Sequence, residues 1–524
     1  MPPDRRLRIP AGRMSGPQDQ LQALPEQYSG LSWFTPLPPA RNGVADYAGM
    51  LLQEIAKLTP CICYCEDPLA EIPMGVEVRD PLQAFRYLTA HSPILYQIGN
   101  NRGHIFALNA LRHFGGVTSL HDLSLLYVNE LGTPKLADLY GRMQSPARAL
   151  GATYARHWKE AGVKTAANYI LFDMLGEVLS RSLSIIVHSQ YARKKLIAVH
   201  GEAVAPKITV IPHFAKKLDV TTSRQARREL GIDPSEMLLL TSGFATRAKR
   251  FDWLIEALDL LRQRGQRFRW VHAGEERPAE YALTQAVRAR PGLAECCEVT
   301  GYLTDDKLDC YIAAADIVLN LRFPSVGESS GTLARAFSAG RCCIVSDTAA
   351  YSEIPREVVV HVPVLDTVGA LVRALDHLLS DKALRDTFGG RARQFARRFL
   401  QIETAAKSYI EVVTASYADS AQRTSGNWLG SMQPAMPIRL DFEVESELPD
   451  LSTALGPRAN DFELTLWFTS TEHFATVTMQ QPSLINSMVG PHVAIDNVKF
   501  IAAECDDDKE SSRLGVRVAG RACG

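Results

Sequence analysis

The sequence predicts an α/β protein of two similar doubly wound domains facing a central cleft, with a small β-rich module appended. Three observations predict it. From Gly30 onward short apolar runs alternate with longer helical periods, the pattern of a parallel sheet covered by helices. That rhythm runs twice, with a break near residues 215–232. After Ser420 it stops, and IRLDFEVE, FELTLWFT and HFATVTMQ alternate apolar and polar residues at strand period.

Residues 1–28, rich in Pro, Arg, Gln and Gly, read as a flexible arm. A first domain over 29–220 opens with the strand LSWF (Leu31–Phe34), the turn PLPPARNG and a helix from about Val44 to Leu58. CICYC and PILYQI (Pro93–Ile98) continue its sheet, and GVTSL (Gly116–Leu120) stops at His121-Asp122. Helical sequence dominates to about Arg181, followed by SIIVHS (Ser184–Ser189), a helix and ITVIPH (Ile208–His213). A second domain over 221–418 supplies the strands MLLLTSG, FRWVHAG, CEVTG, DIVLNL and CCIVSD with helices between them, then amphipathic helices from Thr367 to about Tyr417. Residues 419–524 make the β-rich module, expected to be antiparallel, with a polar tail at CDDDKESSR. In open parallel sheets ligands sit beyond the carboxyl ends of the strands, which places the site in the cleft between the two domains.

Composition removes several classes of function. The 524 residues carry 57 basic and 58 acidic side chains, a formal net charge of −1. That balance argues against a nucleic-acid partner held by phosphate contacts. No apolar run approaches the roughly 18 residues of a membrane span, and no apolar signal core follows the basic start, so the expected location is cytoplasmic. Ten cysteines are too few for a disulfide scaffold at this length. Cys61, Cys63 and Cys65 alternate along one segment, which puts three small thiols on one side of a buried strand; metal sites usually use C-x2-C. The D-x-D-like string Asp506–Asp508 lies in the polar tail and reads as a charge run rather than a metal site.

The phosphate-binding loops of common nucleotide folds are absent: there is no G-x-x-x-x-G-K-[ST] and no G-x-G-x-x-G after a strand. The richest segment is Pro324–Asp347, PSVGESSGTLARAFSAGRCCIVSD. Ser329, Ser330, Gly331 and Thr332 place small residues at a helix N-terminus, where free backbone N–H groups and the positive dipole end hold a phosphate. Glu328 just before the turn would project into the cleft toward sugar hydroxyls. The alternative is a helix cap with a dipole-suited glutamate. A second loop, SGFATRAKRFDWLIEAL (Ser242–Leu258), brings Arg247, Lys249 and Arg250 to a strand end, where two or three cations make a diphosphate clamp or else a solvated basic turn. From the first domain, Gly43 sits at the first strand-to-helix turn and His121 ends a strand at the cleft edge, unless it is a satisfied structural histidine. A basic helix with Arg391, Arg393, Arg397 and Arg398 offers either peripheral contact with anionic lipid or a solvated face.

Taken together, the Gly43 turn, the strand-end His121, the SGF…K loop, the AGE turn (Ala273–Glu275) and the GESSG…AG…VSD…SEIP run resemble retaining glycosyltransferases of the GT-B fold, family 4 (group 1), over about Leu31 to Tyr417. The resemblance implies two Rossmann-like domains and transfer of a hexosyl group from a nucleoside diphosphate sugar to a glycan or lipid-linked acceptor with retention, in bacterial surface polysaccharide synthesis. It implies no metal cofactor. It matches Lys249 to the lysine that binds the donor diphosphate, Glu328 to the first of a glutamate pair that touches the donor sugar, the Ser329–Thr332 amides to the loop holding sugar and phosphate, His121 to a histidine near the donor sugar, and Gly43 to the glycine facing the diphosphate and acceptor. Two departures stand out. Phe244 occupies the place of an arginine whose charge Arg247 would supply, and the second, ribose-binding glutamate is replaced by Arg335 or Ala336. An epimerase or phosphorylase of the same fold, or a non-catalytic sugar-binding protein, is the alternative.

Overall fold

The computed structural model describes residues 30–40, 42–88, 92–133, 139, 172–218, 223–325 and 327–425, and four strands at 438–444, 461–468, 493–504 and 512–522. The expected arm 1–28, most of the helical stretch before Arg181, the segment HFATVTMQ and Asp506–Asp508 lie outside the described residues.

Apolar strand sequence without alternation belongs to sheets covered on both faces, and two such sheets form. The first has seven strands: β1 (Leu31–Phe34), β2 (Cys61–Tyr64), β3 (Val76–Arg79), β4 (Ile94–Ile98), β5 (Gly116–Leu120), β6 (Ser182–Val187) and β7 (Ile208–Val210), in the order β3-β2-β1-β4-β5-β6-β7. The second has six: β8 (Leu238–Ser242), β9 (Arg269–Ala273), β10 (Cys297–Val299), β11 (Ile317–Asn320), β12 (Cys342–Ser346) and β13 (Val360–Val362), in the order β10-β9-β8-β11-β12-β13. Every described pairing in both sheets is parallel. The order reverses between β1 and β4 and again between β8 and β11, so each lobe has a switch point where a crevice opens at the strand ends.

Each sheet sends alternate side chains into two cores. Phe34, Ile62 and Tyr64 enter one, where Phe34 stacks between Tyr64 at 4.7 Å and Tyr96 at 5.2 Å. Trp33 enters the other together with Cys61, Cys63 and Cys65, so the three thiols share one buried face. Burying each such aromatic contributes about 1.5–3 kcal/mol relative to exposure. In the second lobe Cys342 and Cys343 point to opposite cores.

Three features depart from the sequence expectations. The strands β3 and β13 lie at sheet edges, where a half-exposed VEVR and a three-residue VHV carry little apolar signal. The helix Ile402–Ser425, assigned to the 221–418 domain along the chain, crosses back and covers the first sheet. Tyr409 stacks on Trp33 at 6.3 Å and hydrogen-bonds Tyr47 at 3.0 Å and Ser119 at 2.7 Å, while the Ile94 N–H donates to the Tyr417 hydroxyl at 2.9 Å. An amphipathic pattern states that a face is buried, not which sheet buries it. The C-terminal module is a sheet in the order β14 (Ile438–Val444), β15 (Asp461–Phe468), β17 (Ser512–Ala522), β16 (Val493–Glu504), and its β14–β15 pair is parallel. The stretch between Val444 and Asp461 is long enough for the crossover that a parallel pair requires.

Candidate functional site

The second lobe contributes two strand ends at its switch point. At the end of β8 the chain turns through Gly243, whose φ of +79° lies in the region that glycine alone adopts freely. Gly274, after β9, packs so closely that a Cβ there would fall 2.1 Å from the Gly243 carbonyl oxygen. Lys249 folds back over this turn: its Nζ donates to the Ser242 carbonyl, and a Cβ on Gly243 would lie 2.8 Å from that nitrogen. A small cleft there is lined by Ser242, Lys249, Phe251, Leu319 and Asn320. Burial, with the Arg322 charge adding to it, holds the Lys249 ammonium well below its ordinary value. No carboxylate pairs with Lys249 among the described residues. A buried cation without a counter-charge is costly, and an anion in the cleft would relieve it.

Past the end of β11, the Arg322 Nε lies 3.0 Å from a Glu328 carboxylate oxygen. Lys249 and Glu328 therefore flank one guanidinium. The other Glu328 oxygen accepts from the Ser325 hydroxyl at 3.0 Å and the Gly327 N–H at 3.1 Å, so the loop folds around its own carboxylate. Ser330 caps the helix Gly331–Ser338; its hydroxyl accepts from the Leu333 N–H at 3.2 Å and donates to Asn320 at 3.0 Å. Thr332 lies 3.2 Å from that hydroxyl, and Ser329 is half-buried in the same loop. With Leu333 taken by the cap, the Gly331 and Thr332 amides have no carbonyl one turn earlier to bond and remain suited to an anion.

The first lobe contributes mainly imidazoles. His121, His188 and His213 follow the ends of β5, β6 and β7, with ring centroids 4.7 Å apart for His121–His188 and 5.9 Å for His188–His213. Tyr47 packs against all three at 4.7 to 5.5 Å and stacks on Phe214 at 4.4 Å. Burial pushes His188 down to about 4, His213 to about 3 and His121 well below its ordinary value, with neighbouring imidazoles adding to the last two. All three rings are neutral near pH 7. The His121 Nε2 is held by the Gln97 side-chain oxygen. Gly43 is the first residue of the helix Gly43–Ala56, capped by Asn42, and a Cβ there would meet nothing within 4 Å.

The lobes touch at this place. Gly327, at φ +106°, lies where a Cβ would strike Leu123 at 2.4 Å and Tyr191 at 3.2 Å, both from the first lobe. A Cβ on Gly331 would lie 3.4 Å from the His213 ring. The Gln190 N–H, at a first-lobe helix start, donates to the Glu353 carboxylate at 2.9 Å. Asp122 accepts from the Asn100 N–H at 2.7 Å. Burial pushes its carboxyl up to about 6; the Asn100 amide opposes this, Glu328 adds to it, and Arg322 opposes it.

The structure thus brings Lys249, Glu328, Ser329, Ser330, Gly331 and Thr332 to one lobe's strand ends, with His121 on the other lobe two residues before Leu123, which packs on Gly327. Arg247 does not join them: it is exposed, and its Nε donates to the Glu280 carbonyl at 3.0 Å. Arg322 is the cation beside Lys249, and sequence reasoning passed over it, as it did Asp122, His188 and His213. Each stands at or just past a strand's carboxyl end, the rule that selected His121. Where the resemblance expects a second acid, Ala336 is core and Arg335 is buried against Asp305 at 2.9 Å and Asp309 at 3.2 Å.

Comparison with known proteins agrees with this architecture. Residues 235–381 match the family model for glycosyl transferases group 1. Among curated proteins no match was found. Solved structures with the same fold include sucrose-phosphate synthase from Thermosynechococcus elongatus, with 17% identity over 74% of this chain and 99% of that one at a TM-score of 0.52. HepE of Anabaena, crystallised with UDP-glucose, matches with 14% identity over 74% of this chain and 100% of that one, also at 0.52. A glycosyltransferase from Rickettsia africae matches with 12% identity over 74% and 99%, at 0.51. The two parallel-sheet domains are those of the GT-B fold.

Proposed function

We propose that the chain is a glycosyltransferase that moves a hexosyl group from a nucleoside diphosphate sugar to a glycan or lipid-linked acceptor with retention of configuration, in surface polysaccharide synthesis. The observation that carries this reading is Lys249: a largely desolvated, part-buried ammonium at a strand-end turn, close to Arg322, with no carboxylate opposite it among the described residues. The group 1 family match over the same lobe and the UDP-glucose bound by HepE support the donor class.

The chemistry follows from charge. Breaking the sugar–phosphate bond leaves negative charge on the diphosphate and positive charge on the sugar ring. Lys249, Arg322 and the amides of Ser329 to Thr332 meet the first, preorganised and shielded from water. Glu328, held by Arg322 and its own loop, presents negative charge toward the second. The acceptor hydroxyl attacks from the face the leaving group vacates, and the departing phosphate takes its proton, so no enzyme nucleophile is required. His121, neutral and fixed by Gln97, suits a sugar hydroxyl. The Arg391–Arg398 helix face, largely exposed, would serve a lipid-linked acceptor at an anionic membrane surface.

Arg335 in place of a second acid favours one other reading, a nucleotide-sugar-binding protein without turnover. One experiment separates the two. The protein is incubated with a panel of nucleotide sugars and candidate acceptors; products are identified by mass spectrometry and the new linkage by NMR. Transfer gives free nucleoside diphosphate and a glycoside with the donor's anomeric configuration. Binding without release of nucleoside diphosphate sinks the enzymatic reading, and an inverted product sinks retention.

A further inference from the structure

Behind the Lys249 turn runs a buried polar chain. Trp270 and His272 on β9 and Thr241 on β8 are 0%, 0% and 5% exposed. The Trp270 indole N–H donates to the Thr241 hydroxyl oxygen at 3.0 Å, and that hydroxyl lies 3.0 Å from His272 Nδ1. An indole nitrogen only donates, so it occupies a lone pair of Thr241. The hydroxyl hydrogen is left needing an acceptor, and His272 Nδ1 is the one in reach. That assignment puts the ring proton on Nε2, which is itself buried and closes no hydrogen bond among the described residues. Phe251 fixes the ring plane edge-on, with centroids 5.0 Å apart. Burial and then the Lys249 charge push the ring down to about 3, against the Gly243 peptide, which favours its protonated form. The ring therefore stands between the sheet interior and the turn that seats Lys249, and it stands there uncharged.

We propose that His272 is a positioning residue of the diphosphate seat, fixed as the neutral Nε2–H tautomer by the Trp270–Thr241 chain, so that it braces the Gly243 turn without competing with Lys249 for positive charge. The word diphosphate rests on the function proposed above; the tautomer does not. A phenylalanine would brace the turn sterically but lose both polar edges, whereas an asparagine keeps an uncharged acceptor for Thr241.

The test has two arms on the full chain. In the first, histidine-labelled protein is examined by nitrogen-15 NMR, and the His272 signals are identified by their loss in His272→Asn. The expected result is a bare Nδ1 and a protonated Nε2, unchanged from about pH 5.5 to about pH 8, the range where an ordinary imidazole titrates. Thr241→Val then mixes the tautomers. A charged ring, or a proton on Nδ1, in the unmodified chain overturns the proposal. In the second arm, inorganic pyrophosphate is titrated calorimetrically. His272→Phe and Thr241→Val weaken binding by about tenfold, while His272→Asn stays within about threefold of the unmodified chain. Undiminished binding by His272→Phe overturns the positioning role alone. Pyrophosphate that fails to bind even the unmodified chain overturns the diphosphate seat together with the donor reading, and the spectrum still judges the tautomer.

Discussion

The two lobes have nearly the same strand order and opposite chemistry at their strand ends. In the first, β5, β6 and β7 deliver His121, His188 and His213, all driven neutral by burial among other rings. In the second, β8 and β11 lead to Lys249 and Arg322, cations that sit next to each other. Neutral imidazoles exchange hydrogen bonds with hydroxyl groups and carry no net field. Adjacent cations repel unless an anion lies between them. The sheet is the same scaffold in both lobes, and the residues just past its strands decide what each half can hold. On the proposed reading one half takes sugar hydroxyls and the other phosphate, and the loop Gly327–Thr332 joins them by packing on Leu123, Tyr191 and His213.

The sharpest way to break this contrast is to remove the cation that defines the second lobe. Lys249→Ala should lower turnover by about two orders of magnitude or more, roughly 2.7 kcal/mol of lost transition-state stabilisation. The thermal midpoint should not fall, because a buried ammonium without a carboxylate partner opposes folding. Glu328→Ala should cost as much in turnover, while freeing Arg322. Steady-state rates with the donor found by the product screen, beside circular dichroism melts, make the measurement. Full activity in either variant would mean that the charge contrast between the lobes is not the working feature.

A smaller effect tests where the lobes meet. Asp122 is a first-lobe carboxyl pushed up to about 6 chiefly by burial, with Glu328 of the second lobe adding to the rise. A carboxyl whose folded pKa lies above its unfolded value holds its proton more tightly when folded. Its contribution to stability is therefore present at low pH and lost as pH rises from about 4 to about 6. Asp122→Asn should leave stability at pH 4 nearly unchanged and raise it by about 2 kcal/mol at pH 7. In Glu328→Gln the gain should shrink, because part of the cause is gone. Denaturant melts at the two pH values decide it. A gain equal at both would show that Asp122 titrates normally and that the lobes do not share a field there.

Much of this arrangement was legible in the chain. Runs such as LLLTSG and CCIVSD announce strands covered on both faces, and the glycines after them announce turns at the ligand end. Two of the four edge strands of the parallel sheets, β3 and β13, were not legible, because VEVR is half-exposed and VHV is only three residues long. The destination of the helix Ile402–Ser425 was not legible either: its apolar stripe fits any sheet, and contacts such as Tyr409 with Tyr47 and Ser119 and Tyr417 with Ile94 select the first. Among site residues, His188, His213 and Arg322 obey the same strand-end rule that selected His121. They were missed because GESSG and the Arg–Lys cluster drew attention to loops with denser signals. Density of charge in a loop says little about direction. Arg250 turns to Asp252 and the Trp253 ring, and Arg247 to the Glu280 carbonyl.

That last pair of arginines gives the smallest expected effect and the most pointed comparison. Arg247 is two residues from Lys249 in sequence, yet it is exposed and bonded to a backbone carbonyl. Arg322 is far away in sequence, yet it lies against Glu328 and adds to the field on Lys249. An exposed guanidinium facing water gives an anion little, since solvent and salt screen it; a buried one beside the anion's seat gives far more. Arg247→Ala should weaken UDP binding by less than about threefold and Arg322→Ala by about tenfold or more. Calorimetric titration of UDP at low and high salt separates them further, because the Arg247 contribution should vanish in high salt and the Arg322 contribution should persist. Equal losses for the two variants would restore Arg247 to the clamp that the linear sequence suggests, and would mean that the donor draws that side chain inward on binding.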